Sequence, residues 1–338
     1  MTIMKPGLAA LAVAATLTMA SGQTWAADKV SFAFDWIVNG THAGYYVAKA
    51  KGYYRDAGLD VDLSRGFGSG DTVKRVGAGA AMFGVADASA VIAARANEDI
   101  PVRMVAVVFG KAPLGVIYLA ESGIKSPKDL AGRTIGRTAS GSSVNMFPGF
   151  LRANGIDRST MREMVADANT LLPMLMSRRV DAVLGQTVNL GRYKKMAEQQ
   201  NLTAMGMNYA DFGLEAYGNA LIASADTIEK QPDLVKRFVA ASLKGVAYAL
   251  ANPDEAAATV KQMQPEADLA VMKEELAELQ GIVLTDEART NGIGYASERR
   301  MGANIDMVTD ALSLKRKLKV EDVYAAQFQP KPPILPSK

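Results

Sequence analysis

Residues 30–63, VSFAFDWIVNGTHAGYYVAKAKGYYRDAGLDVDL, contain one full strand–helix–strand unit. Residues 30–34 read as a strand of alternating small and aromatic apolar residues. Ala43, Val47, Ala50 and Tyr54 then fall at i, i+4, i+7 and i+11, one face of a helix that Gly58 can end in a left-handed turn. Residues 59–63 return as a second strand. That repeat is the building block of a sheet covered by helices on both faces.

The alternation continues outward from this unit. Asp71 caps a helix carrying Val73 and Val76, residues 82–86 read as a strand, 88–96 as a helix and 102–109 as a strand. A second series starts at the apolar run 116–119. Ser126-Pro127 is a capped helix start with proline in the first position. Strands follow at 134–136, 164–166, 180–184 and 203–207, with helices from near Ser142 and over 169–176. Residues 217–223 read as a strand returning to the first series, and the long helices after it are opened by Pro232 or lie over 267–280 and 298–311.

The expected fold is therefore α/β with two lobes: residues 27–116 together with 218–328, and residues 117–217. Two chain crossings, near 116–119 and 217–222, supply a hinge, and a hinge between two sheets makes a ligand cleft. Open α/β sheets bind ligands outside the carboxyl ends of their strands, so the loops after the strands are the places to search. The proline-rich stretch 329–338 is expected to run extended on the surface and to add little to the fold.

Composition narrows the class. Lys5 precedes an apolar run over 7–20 and a small-residue stretch ending Trp25-Ala26-Ala27, the pattern of a secretory signal peptide with cleavage after Ala26, or after Ala27. The run is too short for the roughly 20 residues that span a bilayer. The chain has no cysteine, which removes disulfides, thiolate metal sites, a cysteine nucleophile and the acylated cysteine of lipoproteins. A free periplasmic protein is the expectation. With 38 basic against 35 acidic residues and a net charge of +3, there is no footprint for nucleic acid. The single histidine argues against a histidine metal site. No metal and no cofactor is expected.

Five loops carry candidate chemistry. The first holds Trp36, Asn39, His42, Tyr45 and Tyr46 at a helix start, either an aromatic platform with hydrogen-bonding groups facing the cleft, or core aromatics beside a capping histidine. The second, Gly66-Phe67-Gly68-Ser69-Gly70, offers free backbone N–H groups or merely a tight turn; it matches neither a Walker A nor a dinucleotide motif. The third places Asp87 and Ser89 at a helix start, as caps or as ligand contacts. In the second lobe, Ser140-Gly141-Ser142-Ser143 combines hydroxyls with a helix amino terminus, the best anion or polar-group site in the chain, although Pro148 sits awkwardly in the helix that follows. Gln186 and Thr187 follow the 180–184 strand and face the same cleft, and Asn219 can reach it from the hinge.

Asp35-Trp36, Asn39, His42, Gly52-Tyr53-Tyr54 and Gly58-Leu59-Asp60-Val61 resemble the opening of the NMT1/THI5-like family of ABC substrate-binding proteins, the thiamine-pyrimidine type. The likeness continues through Gly68-Ser69-Gly70, residues 83–87, residues 124–134, Ser140-Gly141-Ser142, Arg179-Val180-Asp181-Ala182 and Gly218-Asn219. The later motifs are shared with alkanesulfonate, taurine and nitrate binders. The resemblance implies a type II periplasmic binding protein that acts without catalysis, as a monomer, and hands a small molecule to an ABC permease in the inner membrane. It further implies that Trp36 stacks on a heteroaromatic ring, that Asn39, His42 and Asp87 read the ring edge, and that Ser140 to Ser143 take a polar or anionic substituent. One departure stands out: pyrimidine binders often place a carboxylate in the loop that here reads Gly185-Gln186-Thr187-Val188-Asn189.

Two other functions compete. Eukaryotic members of the family are single-turnover synthases that consume a histidine and pyridoxal phosphate; the signal segment and the lack of any cysteine oppose that reading. The same receptor binding an alkanesulfonate, nitrate or aromatic carboxylate would need a strong anion site, which the serine loop favours and Asp87 opposes. Serine hydrolase chemistry lacks a Gly-x-Ser-x-Gly elbow.

Overall fold

The computed structural model describes residues 1–2, 27–139 and 141–336. The expected signal segment and Ser140 lie outside the described residues. Ten strands run through the described chain: β1 (Asp28–Ala33), β2 (Leu59–Ser64), β3 (Phe83–Asp87), β4 (Val102–Val107), β5 (Leu114–Leu119), β6 (Thr134–Arg137), β7 (Arg162–Val165), β8 (Ala182–Gln186), β9 (Ala204–Asn208) and β10 (Asn219–Ser224). They form two five-stranded sheets, in the orders β2-β1-β3-β10-β4 and β7-β6-β8-β5-β9. In each, a late or early strand enters antiparallel among parallel neighbours: β10 between β3 and β4, and β5 between β8 and β9. This is the two-lobed periplasmic binding protein fold.

The first sheet is packed on its helix-covered face by aromatic rings. Phe238, from the helix Pro232–Ala251, stacks on Phe83 with centroids 3.9 Å apart, lies parallel to Tyr54 at 5.8 Å and meets Phe32 edge-on at 5.0 Å. The helix read over 43–54 is in fact two, Ala43–Ala50 and Tyr53–Asp56, because Gly52 turns left-handed at φ 77° between them. In the second lobe, Phe150 from the helix Ser142–Ala153 stacks on Tyr209 at 4.4 Å. Pro148 is accommodated inside that helix. The C-terminal helix Glu298–Leu312 packs against it at Gly149, where a Cβ would sit 2.4 Å from that of Ala311.

The crossings lie just ahead of where the sequence places them. Residues 114–119 belong wholly to the second sheet and residues 219–224 wholly to the first, since the apolar character that suggested a hinge is that of paired strands. The two crossing segments run side by side: the N–H groups of Val108 and Phe109 both donate to Asn219 O at 2.9 Å, Gly218 N–H to Phe109 O at 3.0 Å and Ala112 N–H to Ala216 O at 2.8 Å. The tail runs without helix or strand along the surface, with residues 331–333 and 335 exposed, and one residue ties it down: Ile293 N–H donates to Ile334 O at 2.8 Å, and the Ile334 side chain packs against the first lobe's core. Its prolines prevent helix, but they leave the Ile334 carbonyl and side chain free to make these contacts.

Candidate functional site

β1 delivers the chain through Phe34 to Asp35, which is 4% exposed. A buried carboxylate is costly unless its oxygens are bonded, and both are: Oδ1 accepts from His42 Nε2 at 3.0 Å and Oδ2 from Asn219 Nδ2 at 2.9 Å. His42 Nδ1 in turn accepts from the Asn39 N–H at 3.3 Å, and the imidazole stacks on Phe34 at 4.4 Å. Asn39 Oδ1 caps the next turn by accepting from Thr41 N–H at 3.0 Å and Thr41 Oγ1 at 2.6 Å. Glu275, on the helix Leu269–Val283, accepts from Gly40 N–H at 2.6 Å, and burial pushes its carboxyl up to about 7. The loop is thus held from three directions before any ligand arrives.

Between the sheets lies a partly open cleft cavity of about 120 Å³. Asp35, half-buried Trp36, Asn39 and Ser69 line it from the first lobe; Gly141, Ser142, Ser143 and Gln186 line it from the second. The Asn39 Nδ2 donates across the cleft to Asn189 Oδ1 at 3.1 Å. Ser143 Oγ donates to Gly185 O at 2.7 Å, whereas Ser142 Oγ, at the start of its helix, has no partner.

The remaining residues singled out from sequence stand behind this wall. His42 is 1% exposed with both ring nitrogens engaged, so it positions Asp35 and Asn39 and does not line the cavity. Asp87 is fully buried and caps the helix Ala88–Asn97 by accepting from the N–H (2.9 Å) and hydroxyl of Ser89, which makes both residues part of a cap. Desolvation pushes the Asp87 carboxyl up to about 6 against the pull of Ser89 and, from the facing lobe, of the Ser142 hydroxyl, although Oδ2 forms no hydrogen bond of good geometry. Asn219 lies directly opposite Asp87 in the β3–β10 register, with Oδ1 unpartnered. Thr187 turns away to the Pro113 carbonyl at 3.3 Å and to Asn208. Tyr45 and Tyr46 are core, each 2% exposed. The sequence reading did not single out Asn169, Arg192 and Tyr193, which also line the cavity; they sit on helices, and only a polar first turn after a strand signals them. Among the described residues no group of three or more His, Cys, Asp or Glu is placed to hold a metal, and no helix is long and apolar enough to cross a membrane.

The family described as NMT1/THI5 like matches residues 39–256. The chain belongs to the NMT1/THI5-like family. Within reach of this NMT1/THI5-like chain is a formylaminopyrimidine-binding protein of Halalkalibacterium halodurans, 29% identical over 287 residues, which cover 84% of this chain and 86% of that protein. The riboflavin-binding protein RibY of Chloroflexus aurantiacus is 28% identical over 318 residues, 90% of this chain and 86% of RibY. A 4-amino-5-hydroxymethyl-2-methylpyrimidine phosphate synthase of Legionella pneumophila is 24% identical over 71% of this chain and 75% of the synthase. Among solved structures, the alkanesulfonate-binding protein SsuA of Xanthomonas axonopodis pv. citri, bound to MOPS, superposes with a TM-score of 0.67 at 13% identity, over 88% of this chain and 98% of SsuA.

Proposed function

We propose that this NMT1/THI5-like protein is the solute-binding component of an ABC importer, which closes its two lobes on a small heteroaromatic molecule in the periplasm and presents the closed form to an inner-membrane permease. The observation that carries this reading is the partly open cavity of about 120 Å³ between the two sheets, with Trp36 in its wall. A dry cavity of about 150 Å³ accepts benzene, so this cavity suits a single six-membered ring, with larger groups reaching into the adjoining space. Trp36 supplies the stacking face, Asn39 and Ser69 hydrogen-bonding groups on the first lobe, and Gly141 to Ser143 and Gln186 those on the second. Asp87, Ser89, Thr187, Asn219 and His42 act behind them as positioning residues. The relatives named for binding a formylaminopyrimidine and riboflavin support a heterocyclic ligand.

A receptor fits better than a histidine-consuming synthase. His42 is the chain's one histidine, and it is locked behind the wall by Phe34, Asp35 and the Asn39 N–H. The two lobes close by rotation about the paired crossing segments, residues 108–113 and 209–218, excluding water from the ring.

A thermal-shift screen of refolded, ligand-stripped protein against pyrimidines, other heteroaromatics, sulfonates and nitrate tests this. A ligand at 100 times its dissociation constant adds about 2.7 kcal/mol. Trp36→Ala is expected to weaken a heteroaromatic hit by about 1–3 kcal/mol, the scale of one lost aromatic stacking partner, while leaving the melting temperature of the empty protein in place. A hit confined to aliphatic sulfonates or nitrate, indifferent to Trp36, overturns the heteroaromatic ligand.

A further inference from the structure

Only two formally charged residues line the cavity, Asp35 and Arg192. Asp35 is spent, because both its oxygens are bonded to His42 and Asn219. Arg192, in the first turn of the helix Leu190–Glu198, is half-buried and forms no ion pair with any described residue. It also lines the wider space that adjoins the cavity past Asn39 and Asn169. The loop that leads to it, residues 185–191, carries no acidic residue. Two carboxyls lie near it without an ion pair: Glu275, which is 1% exposed, already accepts from Gly40 N–H and holds its proton up to about pH 7, and Glu274, whose side chain packs against Gly191. A half-buried guanidinium with no ion pair of its own keeps its donors open to an anion that enters the cleft. It presents a planar fork matched to carboxylate and phosphate oxygens.

We infer that the ligand's ring carries an oxyanion substituent that pairs with Arg192 at the outer end of the cavity, making Arg192 the residue that sets ligand charge. This rests on the heteroaromatic reading above. The ring lies against Trp36, and the acid group points away from buried Asp87 toward Arg192, with the Asn169 and Asn189 amides, which also line the cavity, available on either side. That orientation separates the ligand's negative charge from the Asp87 carboxyl, which would repel an anion seated on the serine-bearing helix start.

The test measures dissociation constants for two ring-matched pairs that differ in charge, pyridine-3-carboxylate against pyridine-3-carboxamide and a hydroxymethyl aminopyrimidine against its phosphate ester, with methanesulfonate as a ringless anion. The carboxylate and phosphate arms identify which oxyanion is used. In the wild type the anionic member of one pair should bind about tenfold tighter or more, the scale of a charge-assisted hydrogen bond, and the ratio should shrink as salt screens the pair. Arg192→Gln should bring the ratio to near one, and Arg192→Lys should restore part of it. Equal binding of both members in the wild type, or a ratio that survives Arg192→Gln, overturns the inference. If that variant does not fold, the salt dependence of the wild-type ratio decides: a ratio unchanged by salt overturns it. Arg192-dependent binding of methanesulfonate with no ringed probe bound would sustain the anion subsite and remove the heteroaromatic reading; binding of no probe at all removes both.

Discussion

The two walls of the cleft differ in how their polar side chains are tied. On the first lobe, Asp35, Asn39, His42, Thr41 and Asn219 bond to one another and Glu275 holds Gly40, while Asp87 Oδ2, Asn219 Oδ1 and Glu275 Oε1 stay unpartnered behind them. On the second, Ser142 Oγ has no partner, Arg192 has no counter-ion, and Gly141 stands at φ 149° before a helix start. A loop cross-tied by its own side chains, as residues 35–42 are, keeps its shape without ligand. A wall with open valences gains its partners on closure. Under the proposed function, the first lobe is the preorganised platform for the ring, and the second supplies groups that select among ligands as the cleft shuts.

Breaking the first wall should cost most. Asp35→Ala strands His42 Nε2 and Asn219 Nδ2 in a buried setting, at about 1–3 kcal/mol for each group; urea unfolding of the empty protein reads the loss directly, and an unchanged midpoint would mean that the platform does not depend on its carboxylate. Glu275→Gln comes next and acts through pH. Burial raises the Glu275 carboxyl from 4.5 to about 7, so the folded state holds the proton more tightly than the unfolded chain. Its stabilising contribution is complete below about pH 4.5 and is lost as pH rises through about 7. Glutamine keeps a carbonyl for Gly40 N–H without the charge, so the variant's melting temperature should gain on the wild type steadily from about pH 5 to about pH 8; parallel curves would show that the carboxyl is not desolvated. The smallest effect belongs to the second wall. Ser143→Ala removes one bond to Gly185 O, worth about 1 kcal/mol or less in the empty protein, and a loss as large as that of Asp35→Ala would erase the contrast between the walls.

The fold was legible because each unit carries its own signal. Strands of period two, helices of period 3.6 and glycines such as Gly58 at their ends are local properties, and they placed the elements of both sheets to within a few residues. Where the reading slipped, a single residue overrode a longer pattern: Gly52 divides an otherwise continuous helical face, and the strand β5 begins at Leu114, directly after Pro113. The site was less legible. Its loops were found because they follow strands, but which side chain faces the cavity depends on partners far along the chain. Asp35 meets Asn219 across 184 positions, and Asn39 meets Asn189 across 150. No local pattern shows that His42 turns inward while Trp36 turns outward, or that Arg192 reaches the cavity from the third position of a helix.

The antiparallel strand β10 lies inside the first sheet, flanked by β3 and β4, although 95 residues of the second lobe, 114–208, are threaded between β4 and β10 in the chain. A chain emerging amino end first therefore completes the sheet of the second lobe while the first still lacks an inner strand. The segments carrying Trp36 and Asp87 are made early, yet the sheet beneath them stays open along its inner edge until residue 219 has followed. The lobe that offers the rigid platform is the one that must wait for the rest of the chain to assemble.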